Sequence, residues 1–179
     1  MAQRMEIEWF KRARPGSFGQ RILEIGCGRG AGAALIYHTF YPSRLYAFDL
    51  DIRMVRMASA SQPRDHRRFW DVADASALPL KSAAVDCVFG FGFLHHVPDW
   101  RQALVEIRRV LTPDGVYYME ELYPESYQNA IAGRLFEHPP HDRFRSPDLT
   151  RALEETDFTT LDRLEHRWLG ILGVFQTRS

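Results

Sequence analysis

The chain is poor in lysine, poor in cysteine and carries no net charge, and each shortage narrows what it can be. Its 179 residues hold 23 basic and 23 acidic side chains, so no global field draws it to nucleic acid or to an anionic membrane. Among the bases only Lys11 and Lys81 are not arginine. A composition bias accounts for that as well as a demand for bidentate anion contacts does. Arg64, Arg67 and Arg68 make a local basic cluster that reads as a solvated loop. Two cysteines, Cys27 and Cys87, are too few for a disulfide scaffold. No apolar run nears membrane-spanning length, and Met1 to Arg14 is charged where a signal peptide would be apolar. A reduced, cytoplasmic protein is the expectation. At 45% hydrophobic content, one domain over residues 1–179 can bury a sizeable core.

What is present is concentrated between Ile22 and Gly32, a short apolar strand that carries Glu24 and then breaks into a loop with glycine at every second position. Glycine tolerates φ > 0 and brings no Cβ, so backbone N–H groups can approach a ligand closely, and a following helix points its N-terminus at the same place. This is the phosphate or cofactor end of a Rossmann-like βαβ unit. Gly26, Gly28 and Ala31 also satisfy the dinucleotide fingerprint, so the loop alone does not choose the ligand.

Strand and helix patterns alternate along the chain. Strands are predicted at Arg21–Ile25, Arg44–Asp49, Arg68–Val72, Val85–Phe91 and Val116–Glu121, with helices at Gly32–Phe40, Ile52–Ser61 and Trp100–Leu111. Asp99 can cap the last of these, and Pro113-Asp114-Gly115 ends it. Ser146 is a natural N-cap for a helix to about Thr156, with Pro147 at its first position. Two last strands, near Thr160–Trp168 and Gly170–Thr177, form an antiparallel hairpin about Leu169-Gly170. The alternation means a mostly parallel sheet covered on both faces. A closing hairpin is unusual for a nicotinamide fold.

With these residues in place, the chain resembles the class I S-adenosylmethionine-dependent methyltransferases of the small-molecule type, closely over about Arg21 to Gly115. Leu23-Glu24-Ile25-Gly26-Cys27-Gly28-Arg29-Gly30 is similar to the family's first motif, Ala47-Phe48-Asp49-Leu50 to its second, and Asp74-Ala75-Ser76-Ala77-Leu78-Pro79 to its adenine-binding turn. The stretches Val85–Phe89, Leu94–Val97 and Arg109–Gly115 are similar to its path from strand four to strand five, with Asp114 where the family usually has glycine. The resemblance implies an α/β three-layer sandwich with a seven-stranded sheet of order 3-2-1-4-5-7-6. It also implies transfer of a methyl group from S-adenosylmethionine to an O, N, S or C of a small molecule, leaving S-adenosylhomocysteine.

The cofactor residues so implied are Glu24, Gly26, Cys27, Gly28, Gly30, Asp49, Leu50, Met54, Asp74, Ala75, Phe91 and Gly92. A carboxylate at Asp49 can accept both ribose hydroxyls, which suits NAD equally. Glu24 discriminates better, because an acid before the glycines repels a pyrophosphate and attracts a sulfonium or ammonium group. Asp74 either accepts from an adenine amino group or caps its own turn before Ser76. Leu50 and Met54 would pack on adenine or ribose, and Phe91 either ends the site with Gly92 or is plain core.

For an acidic acceptor a base is needed, and the candidates are His95, His96 and Glu121. Each histidine has an alternative as a backbone-bonded helix start. Glu120 and Glu121 point to opposite faces of a strand, so at most one faces the cleft. His138, His141 and Asp142 invite a metal reading, but the two prolines between the histidines break a helical zinc register, and no metal is expected. Residues 123–147, with Tyr127, Phe136 and Phe144, are expected to cap the acceptor pocket. Residues 1–20, through Met5, Ile7, Trp9 and Phe10, suit a short lid helix or a contact with another subunit, with the pocket either open or completed by a homodimer or another partner. No Asn/Asp-Pro-Pro-Tyr/Phe run follows strand four, no Pro-Cys pair is present, and two lysines cannot supply a lysine-based ribose-methylating tetrad. A small metabolite is the default acceptor, with a protein or a modified nucleobase as alternatives. Competing readings are a non-catalytic S-adenosylmethionine sensor and a nicotinamide-dependent oxidoreductase.

Overall fold

The structure is a computed structural model that describes residues 2–14, 20–124, 144–166 and 168–178. Seven strands form one sheet: β1 (Arg21–Ile25), β2 (Arg44–Asp49), β3 (Arg68–Val72), β4 (Val85–Phe91), β5 (Leu111–Leu122), β6 (Phe158–His166) and β7 (Gly170–Thr177). The described helices are α1 (Ala2–Ala13), α2 (Ala31–Phe40), α3 (Ile52–Ser61), α4 (Trp100–Val110) and α5 (Ser146–Glu155), with a 3₁₀ turn at Leu94–His96. The strand order is β3-β2-β1-β4-β5-β7-β6, parallel as far as β5 and antiparallel where β7 pairs with β5 and β6. This is the Rossmann-like arrangement that the sequence implies.

Strands buried on both faces feed two cores. On one side Trp100, Leu104 and Ile107 of α4 meet Tyr117 and Phe158; on the other Ile7 and Phe10 of α1 and Ile36 of α2 meet Phe89 and Tyr118. Tyr117 and Tyr118 enter different cores because successive side chains on a strand leave opposite faces. Phe10 stands edge-on to Tyr118 at 5.3 Å, which seats α1 on the sheet. Ile7 and Phe10 are thus core, whereas Met5 is 68% exposed.

Some boundaries move. Helix α4 starts as expected, with Asp99 Oδ1 accepting the Gln102 N–H at 3.0 Å, but it stops at Val110 and β5 begins at Leu111. Val85 pairs with Leu111 and Cys87 with Val116, so Pro113–Gly115 sit in an irregularity of the strand, with Asp114 at φ 59. Helix α5 takes Ser146 as its first residue and Arg145 as its cap, correcting the expected start by one position. There the Asp148 carboxylate reaches back and accepts the Arg145 N–H at 3.3 Å, the contact of a third helical residue with its cap. Of the expected 123–147 cap, residues 125–143 lie outside the described residues, and with them Tyr127, Phe136, His138, His141 and Asp142. Among the described residues no helix is long and apolar enough to cross a membrane.

Candidate cofactor and acceptor site

The loop after β1 holds Gly26, Gly28 and Gly30 at φ 71, 51 and 83. Their constraints differ. A Cβ on Gly26 would sit 2.5 Å from the Phe93 Cβ, whereas a Cβ on Gly28 would meet nothing within 4 Å, so the loop is packed at its first glycine and open at its second. The Cys27 N–H donates to the Phe48 carbonyl at 3.0 Å, tying the loop to β2. The Cys27 thiol itself is buried in core, where desolvation and the nearby Glu24 and Asp49 push it well up, so its part in the loop is played by backbone.

At the end of β2, Asp49 Oδ2 accepts the Gly28 N–H at 2.8 Å and Oδ1 accepts the Asp51 N–H at 2.9 Å. The acid therefore shapes the glycine loop before any ligand arrives, and each oxygen retains a second lone pair. Glu24 is 1% exposed, and its Oε2 has no hydrogen-bond partner. Burial raises its carboxyl well above the usual range, with a backbone bond from Ala33 working the other way. A Cβ on Gly32 would run into Glu24 Oε1, so the first turn of α2 is glycine where the carboxyl packs.

A cavity of about 500 Å³ opens beside this loop. Of the cofactor residues expected from sequence, Gly26, Asp49, Leu50, Asp74, Ala75 and Gly92 line it, and so does His96. Leu50 is 70% exposed, an apolar side chain held at a rim. Glu24 lies buried near the loop, Met54 is half-buried on α3, and the Phe91 ring packs with Phe10 and Phe89. Phe91 is thus a core side chain. Asp74 Oδ1 accepts both the N–H (2.8 Å) and the hydroxyl (2.7 Å) of Ser76. Its turn-capping role is filled by one oxygen, and the other makes no bond to Ser76.

That turn is held from another element, α4. Glu106, on α4, accepts the Leu78 N–H at 2.8 Å, and Arg109 donates to the carbonyls of Leu80 (2.6 Å) and Leu78 (3.0 Å). The two side chains also bond each other at 2.6 and 2.7 Å, and the guanidinium holds the Glu106 carboxyl below its usual range. A charged pair at i, i+3 on an otherwise apolar helix face was the available signal.

On β5 the alternation holds, and it divides the two acids between the faces. Glu121 is buried, and its Oε1 accepts the N–H groups of Phe93 (3.0 Å) and Leu94 (2.6 Å). Its Oε2 lies 2.7 Å from His95 Nδ1. Glu121 is therefore committed to the turn after β4 and does not present itself to the cleft as expected. His95 is held by that contact, and its ring lies 4.2 Å from that of His96, which reaches the cavity. Glu120 takes the α1 side, with Oε2 only 3.2 Å from where a Gly92 Cβ would be. Burial, Glu121 and Glu6 raise its carboxyl to about 8.

A glycine loop, an acid at the end of each of β1 and β2, and a ligand-sized cavity on a sheet with a reversed last strand define a class of protein. The class is that of the class I S-adenosylmethionine-dependent methyltransferases, Rossmann-like in fold. Residues 23–119, more than half of the chain, match the family model described as a methyltransferase domain, and the chain belongs to that family. It is 33% identical over 143 residues to a probable S-adenosylmethionine-dependent methyltransferase of Mycolicibacterium smegmatis, covering 80% of this chain and 50% of that one. It is 31% identical over 176 residues to an O-methyltransferase of Pyrenophora dematioidea, covering 92% and 63%. The chain thus spans between half and two thirds of the length of these relatives. In fold it matches the methyltransferase in a complex with the Trm112 activator from Haloferax volcanii, with a TM-score of 0.78, 18% identity, and 99% and 92% of the two chains covered.

Proposed function

We propose that the protein transfers a methyl group from S-adenosylmethionine to a small-molecule acceptor. The observation that carries this is the pairing of an open glycine loop with a buried acid: Gly28 has space around it, and Glu24 keeps an unpartnered oxygen behind the loop. Ionised, Glu24 would repel a pyrophosphate, whereas a sulfonium or ammonium group would attract it and offset the cost of burying its charge. That contrast favours S-adenosylmethionine over a nicotinamide dinucleotide. In this reading Asp49 receives the ribose hydroxyls, Asp74 and Ala75 the adenine, Leu50 the flat face of the nucleoside, and Gly26, Cys27, Gly28 and Gly30 supply backbone.

When bound, the cofactor supplies a methyl group already activated by positive charge on sulfur. The protein's share is then alignment and exclusion of water, with effective molarities on the order of 10⁵ M or higher in favourable cases. We assign Glu121 and His95 to holding the wall that carries Gly92, and His96 to the cavity itself. The lid reading of α1, with a second subunit completing the pocket, draws support from the Haloferax neighbour's complex; sedimentation of the protein with and without cofactor tests it. Calorimetric titration with S-adenosylhomocysteine, with NADH for comparison, tests the function. Binding of the first that Asp49→Ala abolishes is expected; preference for NADH would overturn the assignment.

A further inference from the structure

Resting on that reading, we propose that Glu120 is the base that takes the proton from a hydroxyl-bearing methyl acceptor, with Glu6 of α1 as its partner. The position follows from the strand. Phe91 pairs with Glu120, and the Gly92 N–H donates to the Glu120 carbonyl at 2.8 Å, so the ends of β4 and β5 are locked together. Glu120 Oε2 lies 3.2 Å, and His95 Cε1 3.7 Å, from the place of the absent Gly92 Cβ. Gly92 is also a wall of the cavity assigned to the cofactor. The carboxyl therefore meets that wall where it carries no side chain.

The local chemistry asks for a donor. The Glu120 side chain is half-buried and makes no hydrogen bond among the described residues, and Glu6 Oε2 is shielded from solvent without a partner. Glu121 beside them has its oxygens engaged by the turn after β4. Glu24, on the same face of the sheet two strands away, is 1% exposed and also keeps an unpartnered oxygen. The Glu6 and Glu24 oxygens, buried in this state, call for a ligand that brings donors. A hydroxyl brings one.

The charged and titratable groups that interact with or lie close to Glu120 are Glu6 from α1, Glu121 and Tyr117 across its own strand, and His95 from the 3₁₀ turn. The adjoining positions of β4 and β7 are Phe91, Gly92 and Leu172, which carry no charge. Burial and the two acids bring the Glu120 carboxyl to about 8, a base strength matched to a hydroxyl near neutral pH. In the step, the acceptor O–H bond breaks, its electron pair stays on oxygen and its proton passes to the Glu120 carboxylate. The oxygen forms the O–CH3 bond as the S–CH3 bond of the sulfonium breaks, with that pair remaining on sulfur, and Glu120 then returns its proton to solvent.

The test uses protein labelled with ¹³C at the glutamate carboxyls. A resonance titrating near pH 8 is expected in the wild type, absent in Glu120→Gln and shifted to lower pH in Glu6→Gln. Phenol added to the S-adenosylhomocysteine complex should move that resonance. With labelled S-adenosylmethionine, Glu120→Gln should lose about 10²-fold or more in rate on phenol and much less on 4-nitrophenol, which ionises more readily, at unchanged S-adenosylhomocysteine affinity. Titration in the ordinary carboxylate range, no response to phenol, no methylation of either phenol, or equal losses on both would overturn the proposal. Failure of S-adenosylhomocysteine to bind the wild type would instead overturn the cofactor reading on which it rests.

Discussion

Replacing Glu121 by alanine should unlatch the turn after β4, and the structure sets the size of the effect. The carboxylate accepts from the N–H groups of Phe93 and Leu94, at 3.0 and 2.6 Å, and lies 2.7 Å from His95 Nδ1. Phe93 and Leu94 are both buried. Each buried donor left without a partner costs about 1–3 kcal/mol, and water entering the vacated volume recovers part of that. A net loss of about 3–5 kcal/mol is expected, as for breaking a buried ionic contact. At about 2–4 °C per kcal/mol for a chain of this size, the Tm should fall on the order of 10 °C. Glu121→Gln keeps the volume and one acceptor oxygen, and should lose about half as much. Because Gly92, Phe93 and His96 line the cavity, S-adenosylhomocysteine affinity should fall with stability. Urea unfolding and calorimetry on the two variants provide the assay. A Glu121→Ala protein within about 1 kcal/mol of the wild type would refute the latch, since ordinary surface changes reach about half that.

Gly32→Ala places a methyl group on Glu24 Oε1, so the carboxyl or the first turn of α2 must move. A loss of about 1–3 kcal/mol, as in overpacked cores, with weakened S-adenosylhomocysteine binding, is the expected result of denaturation and calorimetry. Glu24 has a folded-state carboxyl raised by burial, so below its ordinary value of 4.5 both folded and unfolded states hold the proton. Above that value the unfolded chain ionises first, and this group's contribution to stability falls as pH rises towards the folded value. Glu24→Gln should therefore match the wild type in acid and exceed it in Tm at neutral pH, while binding S-adenosylhomocysteine less well. Tm curves that run parallel across that pH range would show that Glu24 is not the group responsible.

Much of the fold was legible because its signals are local. The strands at Arg21–Ile25, Arg44–Asp49, Arg68–Val72 and Val85–Phe91 begin and end where the sequence pattern predicts. Asp99 caps α4 by a contact within one turn, which spacing alone reveals. Misplaced boundaries arose where a tertiary partner decided. β5 starts at Leu111 because Val85 pairs with it, although Pro113-Asp114-Gly115 reads locally as a break. The spacing of Glu106 and Arg109 was legible, but what the pair clamps was not, since its targets at Leu78 and Leu80 are about thirty residues away.

By itself the sequence determined the order of elements, the glycine loop and the acids that end β1 and β2, because periodicity, glycine spacing and strand-end position are properties of neighbouring residues. It also determined that Glu120 and Glu121 leave opposite faces of their strand. Which of the two faces the α1 side was decided only in three dimensions. Glu121 reaches the backbone of the 93–95 turn, Glu120 meets Glu6 and the bare Gly92, and both outcomes depend on how α1 and the turn after β4 pack on the sheet. Burial and the charges that surround a carboxyl are properties of that packing, and they set which acid is a latch and which is a base.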